Sequence, residues 1–137
     1  MGKQTIGPLG DIAGLLARLA AGTVFVYHGL PKLLDPSGTS EFFGMLGIPF
    51  PQIAAVYGGV VEVVGGLMLA FGFALPVVGA LLFLQMAAAY VFAHLGQPLE
   101  EWELALVLGT SALALGFSGG RLALDRLMPW GRRSEER

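Results

Sequence analysis

Four apolar stretches dominate this chain, and each is close to the length at which a helix crosses a lipid bilayer. They cover about residues 12–34, 52–71, 76–94 and 102–117. A hydrocarbon core of about 30 Å needs about 20 helical residues. The composition agrees, because 13% of the residues are charged, against about 25% in soluble domains. The sequence therefore predicts an all-α fold: an integral membrane four-helix bundle that forms a single transmembrane domain over residues 1–137.

The first loop, residues 35–52, is too long for a simple turn. Thr39 or Ser40 could cap a short helix here. Its apolar side chains would be Phe42, Phe43, Met45 and Leu46. We expect a short interfacial helix in this first outer loop, which either anchors the chain in the membrane interface or covers the mouth of the bundle as a lid. Anchoring is the simpler interpretation. Residues 131–137 form a polar tail.

Lysine and arginine are concentrated towards the two ends of the chain. Lys3 lies near the N-terminus, and the C-terminal region contains Arg121, Arg126, Arg132, Arg133 and Arg137. The loops at residues 35–52 and 96–101 contain neither residue type. Because cytoplasmic loops are enriched in lysine and arginine, we expect a multi-pass protein of the cytoplasmic (inner) membrane with both termini in the cytoplasm.

The chain contains no cysteine and has a net charge of −2. The absence of cysteine excludes disulfides, thiol relays and cysteine-ligated iron–sulfur clusters. It also disfavours a structural zinc site, so we expect no metal. A net charge this small does not indicate a nucleic-acid partner. Any redox chemistry would need a bound cofactor or a partner protein.

Six ionisable residues lie within the apolar stretches or at their edges. A charge at bilayer depth costs about 2.5–3.5 kcal/mol on insertion scales, so such residues usually face protein and often mark a site. Residue counts along the helices place four of them near the outer leaflet, on three different spans. The sequence therefore predicts a ligand-binding site formed by His28, Lys32, His94 and Glu103. The alternative is a solvent-exposed rim of unrelated charges.

The other two ionisable residues are predicted to form a buried ion pair. Gly58, Gly65 and Gly72 share a helix face with Glu62, and small residues mark faces where membrane helices pack closely. Counting residues along each span puts Arg18 about 6 Å deeper than Glu62. The predicted Arg18–Glu62 pair could fix the helix register or take part in ligand or proton binding.

The third span offers two candidate polar residues for the site. Gln85 and His94 are nine positions apart, and at about 100° per residue they lie on opposite faces of the helix. Only one of them can point into a central cavity. We favour His94, because its depth matches that of His28 and Glu103.

The order of these residues resembles the DoxX family of small four-helix membrane proteins. The resemblance rests on Arg18, Tyr27-His28-Gly29-x-x-Lys32, Gly58-x-x-x-Glu62-x-x-Gly65-Gly66, His94, Glu103 and the closing Gly119-Gly120-Arg121-Leu122-Ala123-Leu124-Asp125. Ala123 stands where the closing motif usually has serine. The family is similar to the small subunit of a thiosulfate:quinone oxidoreductase. The resemblance therefore implies a redox-linked or quinone-linked role in the membrane.

Several functions agree with these features. We favour an accessory or ligand-binding subunit of a membrane redox system. One alternative is a quinone-linked oxidoreductase subunit, in which Lys32 or His28 donates to a quinone carbonyl and His94 with Glu103 transfers protons. Another is a small-molecule carrier or structural subunit without a redox role, so whether the protein is an enzyme stays open.

The expected cofactor and partners follow from these alternatives. The cofactor itself stays open, and quinone is the candidate that the redox-linked alternative implies. A b-type haem between His28 and His94 is less favoured, because both histidines also suit ordinary hydrogen bonding. The expected partners are the lipid bilayer, quinone, and either a second copy of the chain or a redox partner subunit.

Overall fold

The computed structural model describes residues 7–118 and 122–132, without the side chains of residues 131 and 132. The helices are α1 (Pro8–Leu34), α2 (Pro36–Met45), α3 (Pro51–Phe71), α4 (Leu75–Ala89), α5 (Leu99–Ser118) and α6 (Pro129–Arg132). A π-helical turn, Tyr90–His94, continues α4, and a 3₁₀ turn, Leu124–Leu127, precedes α6. These ranges contain no β-strand, which confirms the predicted all-α class.

Three helices in the described ranges are long and apolar enough to cross a membrane: α1, α3 and the continuous helix Leu75–His94. They coincide with the first three predicted spans. The fourth long helix, α5, has 20 residues and carries Glu100 and Glu101 in its first turn. Part of the sequence prediction lies outside the described residues, namely Lys3, Gly119, Gly120, Arg121, Arg133, Arg137 and most of the polar tail.

The long helices pack as two pairs. α1 lies along α3 and α4 lies along α5, while α3 contacts α4 and α1 contacts α5. Phe25, Leu69 and Leu82 are fully buried where these elements meet. The outward sides of the helices carry many large apolar residues, including Ile53, Val77 and others. This is the pattern of a chain whose surface is solvated by lipid.

Glycines bring the backbones of α1 and α3 together. A Cβ atom added to Gly22 would lie 2.5 Å from the carbonyl oxygen of Gly66, and one added to Gly29 would lie 2.6 Å from the Cβ atom of Glu62. Such approaches are closer than two side-chain-bearing positions allow. They fix the register of the two helices, with Gly22 opposite Gly66 and Gly29 opposite Glu62.

This contact gives a first testable expectation. Gly22→Ala should lower the free energy of unfolding by about 1–3 kcal/mol, because the new methyl group must push two helices apart. Gly14, in the same helix, is the matched control, since nothing lies within 4 Å of the Cβ position there. Gly14→Ala should instead stabilise the helix by about 0.5–1 kcal/mol. Denaturation in mixed detergent micelles measures both variants, and equal effects would contradict this helix register.

The predicted helix in the first loop is present as α2, but its start differs from the prediction. It begins at Pro36, and the Asp35 carboxylate caps it by accepting a hydrogen bond from the Gly38 N–H at 3.0 Å. Thr39 lies inside the helix and donates its hydroxyl to the Asp35 carbonyl. The prediction of a Thr39 or Ser40 cap was wrong, because the Asp35 carboxylate, just outside the helix, already accepts a hydrogen bond from the first turn.

The opposite end of the molecule is held by the closing segment. Asp125 accepts hydrogen bonds from the backbone N–H groups of Ala74 and Leu75, at 2.6 Å and 2.8 Å. Its own N–H donates to the Gly72 carbonyl at 2.9 Å. The carboxylate therefore caps the N-terminus of α4, where unpaired N–H groups and the helix dipole favour an anion.

Candidate ligand-binding site

A cavity of about 300 Å³ lies beneath α2, between that helix and parts of α1, α3 and α4. Its polar lining comes from Lys32 of α1, Glu62 of α3 and Gln85 of α4. The remaining lining is aliphatic or aromatic: Phe42, Phe43, Leu46, Ile48, Ala54, Tyr57, Ala88, Ala89, Phe92 and Ala93. A cavity with mostly apolar walls and a few convergent polar groups is the usual form of a small-molecule site.

Helix α2 covers this cavity. Phe43 and Leu46 are half-buried and line it, whereas Met45 is 75% exposed on the outward side. The structure therefore places α2 over the cavity, and both interpretations of this helix, anchor and lid, stay predictions. Its Phe42 ring contacts Phe43, with ring centroids 6.3 Å apart.

The centre of the polar lining is an ion pair between α1 and α3. Lys32 Nζ lies 2.7 Å from Glu62 Oε2, and the same ammonium group donates to the His28 carbonyl at 2.8 Å. The Glu62 side chain is 5% exposed and that of Lys32 is 21% exposed. Gly29 makes the pair possible, because its missing side chain lets α1 approach Glu62 closely enough for Lys32 to reach the carboxylate.

The predicted pairing of Glu62 with Arg18 was therefore wrong. Arg18 is buried at the other end of α1, where its Nη2 donates to the Leu122 carbonyl at 2.6 Å. Glu62 lies level with Gly29, and eleven residues at a rise of about 1.5 Å each separate that position from Arg18 by about 16 Å. The prediction counted the depth of each residue from the outer end of its own span. Those relative depths are wrong, because α3 extends beyond α1 at that end by about 9 Å.

The structure also does not bring His28, Lys32, His94 and Glu103 together. His28 is exposed, and its Nδ1 lies 2.9 Å from the Val24 carbonyl of its own helix. Glu103 is exposed and His94 is half-buried. Neither side chain makes a hydrogen bond or ion pair with another residue in the described ranges. Of the four, Lys32 alone contributes to the cavity beneath α2.

Gln85, and not His94, is the polar residue of α4 that lines this cavity. A Cβ atom added to Gly58 would lie 2.9 Å from Gln85 Nε2 and 4.0 Å from Lys32 Cδ. The bare backbone of Gly58 therefore leaves room for both side chains. His94 does not line this cavity, because matching depth does not make residues on different helices face one another; its role in a site stays a prediction. The sequence feature that indicates this arrangement is Gly58, which shares a helix face with Glu62 and leaves space beside it for a neighbouring side chain.

Hydrogen-bonding capacity remains at this polar group. Lys32 can donate three hydrogen bonds, of which two are used, to Glu62 and to the His28 carbonyl. Among the described residues, Glu62 Oε1 and the Gln85 amide have no hydrogen-bond partner. One ligand could thus be offered donors from Lys32 and Gln85 and acceptors from Glu62 and Gln85.

The fold and the cavity together define a small helical membrane protein with a polar-centred cavity beneath α2. The chain belongs to the DoxX family, whose family model matches residues 13–95. The matched residues include Lys32, Glu62 and Gln85.

Curated relatives cover most of the chain. The Bacillus subtilis (strain 168) protein named "Putative oxidoreductase CatD" is 34% identical, over 90% of this chain and 92% of its own length. Inner membrane protein YphA of Escherichia coli (strain K12) is 26% identical, over 82% and 87%. An uncharacterised Haemophilus influenzae protein is 32% identical, over 79% and 84%. No solved structure matches the chain at a significant level.

Proposed function

We propose that this protein is a ligand-binding subunit of an inner-membrane redox system, and that its cavity holds the headgroup of a quinone-class molecule. The observation that carries the proposal is the Lys32–Glu62–Gln85 group at the base of an otherwise apolar, partly aromatic cavity. The printed names "Putative oxidoreductase CatD" and "Inner membrane protein YphA" support the redox and membrane parts of this proposal.

The cavity fits such a headgroup in size and chemistry. Its volume of about 300 Å³ lies at the lower end of the range for small-molecule sites, about 300–1,000 Å³. Lys32 and Gln85 can donate to a ring oxygen, while Phe43 and Phe92 provide aromatic surface for the ring. Bound quinone would supply two-electron redox chemistry. The role of this chain is to bind and orient the ring and to keep it from bulk water beneath α2.

The quinone-linked enzyme with proton transfer through His94 and Glu103 has less support. Neither side chain lines the cavity, so neither is in position to exchange protons with a ring bound there. The binding role needs only the residues that do line it. We accordingly place Lys32, Glu62 and Gln85 in the site and leave His28, His94 and Glu103 outside it.

Gln85→Leu tests this assignment, because it keeps the side-chain size and leaves the ion pair intact. We expect affinity for a short-chain quinone to fall about tenfold, the loss of one buried hydrogen bond. Gln97→Leu, in an exposed turn, is the control and should bind as the wild type does. Calorimetric titration in lipid nanodiscs measures both. Unchanged binding by Gln85→Leu, or loss in a His28→Ala, Glu103→Ala double variant, would contradict the assignment.

The proposed topology has four spans, with α5 as the fourth, and both termini in the cytoplasm. It rests on the basic residues near the two ends of the chain and on their usual cytoplasmic position. Because the chain contains no cysteine, single variants Ser37→Cys and Ser134→Cys report their own location. An impermeant maleimide should label Ser37→Cys in intact cells and Ser134→Cys only after lysis. Labelling of Ser134→Cys in intact cells would contradict this topology.

A further inference from the structure

The second carboxylate oxygen of Glu62 sets a requirement on any ligand in the cavity. Oε2 is held by Lys32 at 2.7 Å, whereas Oε1 accepts no hydrogen bond from the described residues. The side chain is 5% exposed, and Glu62 lines the cavity. A ligand that fills the cavity would displace water from Oε1, and a charged acceptor that is then left without a donor costs free energy. A ligand that brings its own donor removes this cost.

Gln85 and Lys32 can donate hydrogen bonds to the oxygen atom of the same ligand group. A Cβ atom added to Gly58 would lie 2.9 Å from Gln85 Nε2 and 4.0 Å from the methylene carbon Cδ of Lys32, while Lys32 Nζ itself lies at Glu62 Oε2. The Gln85 amide N–H and the remaining N–H of Lys32 are donors, so a ligand oxygen placed between them accepts. The cavity thus offers an acceptor and donors close together, which is the complement of a hydroxyl group.

From this pairing we infer that the cavity binds the reduced, dihydroxy form of an aromatic headgroup in preference to the dione. The inference rests on the proposed function and specifies which form of the quinone-class molecule is held. In the reduced form, one hydroxyl donates to Glu62 Oε1 and its oxygen accepts from Lys32 or Gln85. The dione of the same ring has only acceptor oxygens, so it leaves Glu62 Oε1 unpaired beside a carbonyl oxygen.

Durohydroquinone and duroquinone test this selectivity, because they share one small tetramethyl ring and carry no tail. Each is titrated into the full-length protein in lipid nanodiscs under anaerobic conditions. The expected result is at least about tenfold tighter binding of durohydroquinone, since an unpaired buried acceptor disfavours the dione by that order. The dimethyl ether of durohydroquinone, which has no O–H donor, should lose this advantage.

Glu62→Gln identifies the group responsible. A neutral amide can turn its N–H towards a carbonyl oxygen, so the preference should fall to about threefold or less. Glu103→Gln makes the same chemical change on an exposed helix face and should leave the preference unchanged. Comparable melting temperatures of the two variants show that both are folded.

The outcomes separate this inference from the proposed function. Equal binding of the two forms, tighter binding of duroquinone, or tight binding of the dimethyl ether would overturn the selectivity while quinone-class binding stands. A Glu62→Gln variant that keeps the full preference would overturn the role of Glu62. Failure of every ring compound to bind would overturn the proposed function itself. The wild-type comparison decides the selectivity even if Glu62→Gln does not fold.

Discussion

Glu62→Ala should lower the free energy of unfolding by about 3–5 kcal/mol, because it leaves the ammonium group of Lys32 without its partner in a poorly hydrated position. The ion pair joins α1 to α3 at 2.7 Å, and its carboxylate is almost fully buried. Replacing both residues with apolar ones, Lys32→Met with Glu62→Leu, should recover much of this loss. Denaturation in mixed micelles, followed by circular dichroism, measures all three proteins.

A double-mutant cycle distinguishes the observed pair from the pair that the sequence suggested. Lys32 and Glu62 should show a coupling energy of about 1–3 kcal/mol, whereas Arg18 and Glu62 should behave additively within about 0.5 kcal/mol. Glu103→Ala, on an exposed position of α5, is the surface control and should change stability by no more than about 0.5 kcal/mol. Strong coupling between Arg18 and Glu62 would contradict the helix register that places them about 16 Å apart.

The second large effect is expected at Asp125. Asp125→Ala should destabilise the protein by about 2–4 kcal/mol, because it removes both hydrogen bonds at the N-terminus of α4. Trp130 also donates its indole N–H to this carboxylate, at 2.9 Å. Asp125→Asn keeps one acceptor oxygen and should lose about half as much.

Glu41→Ala is the control for this site, since Glu41 is an exposed acidic residue of α2. The free energy of unfolding of each variant, with hydrogen exchange at the α3–α4 turn, provides the measurement. We expect faster exchange of the Ala74 and Leu75 amides in Asp125→Ala alone. Unchanged exchange at these amides would show that Asp125 does not hold the turn.

The helices themselves could be predicted from the sequence because each follows from local information. Apolar runs of spanning length gave three of the long helices, two of them to within one residue at each end and α1 to within four residues at its start. The aromatic cluster in the first loop gave α2, although not its cap. The glycine stripe that contains Glu62 indicated that this carboxylate faces protein, and the structure places it there, 5% exposed.

The residue pairs between helices could not be predicted, because they depend on how far one helix is shifted against another along the helix axes. α1 and α3 do not end at the same height, so equal counts from their outer ends do not mean equal depth. The π-helical turn Tyr90–His94 changes the angular spacing that was assumed between Gln85 and His94. The contact of Asp125 with Ala74 joins residues 51 positions apart, and no local pattern records it.

In the candidate site too, the individual residues could be predicted from the sequence but the contacts between them could not. Lys32 and Glu62 were recognised separately as charges that need protein partners. Their partnership required the α1–α3 register, which is set by the close approach at Gly22 and Gly29. Depth along the spans favours His94 over Gln85, but depth does not give the direction in which a side chain points.

Photoaffinity labelling tests the central claim most directly, namely that a quinone-class headgroup binds beneath α2. A short-chain quinone carrying a diazirine on its ring is irradiated with the wild-type protein in nanodiscs, and the labelled residues are located by mass spectrometry. We predict adducts on Phe42 or Phe43 of α2 and on Phe92, and their loss when excess unlabelled quinone competes. Labelling confined to the groove between α4 and α5 that Tyr90 and Trp102 line, or labelling that excess quinone does not reduce, would contradict the account.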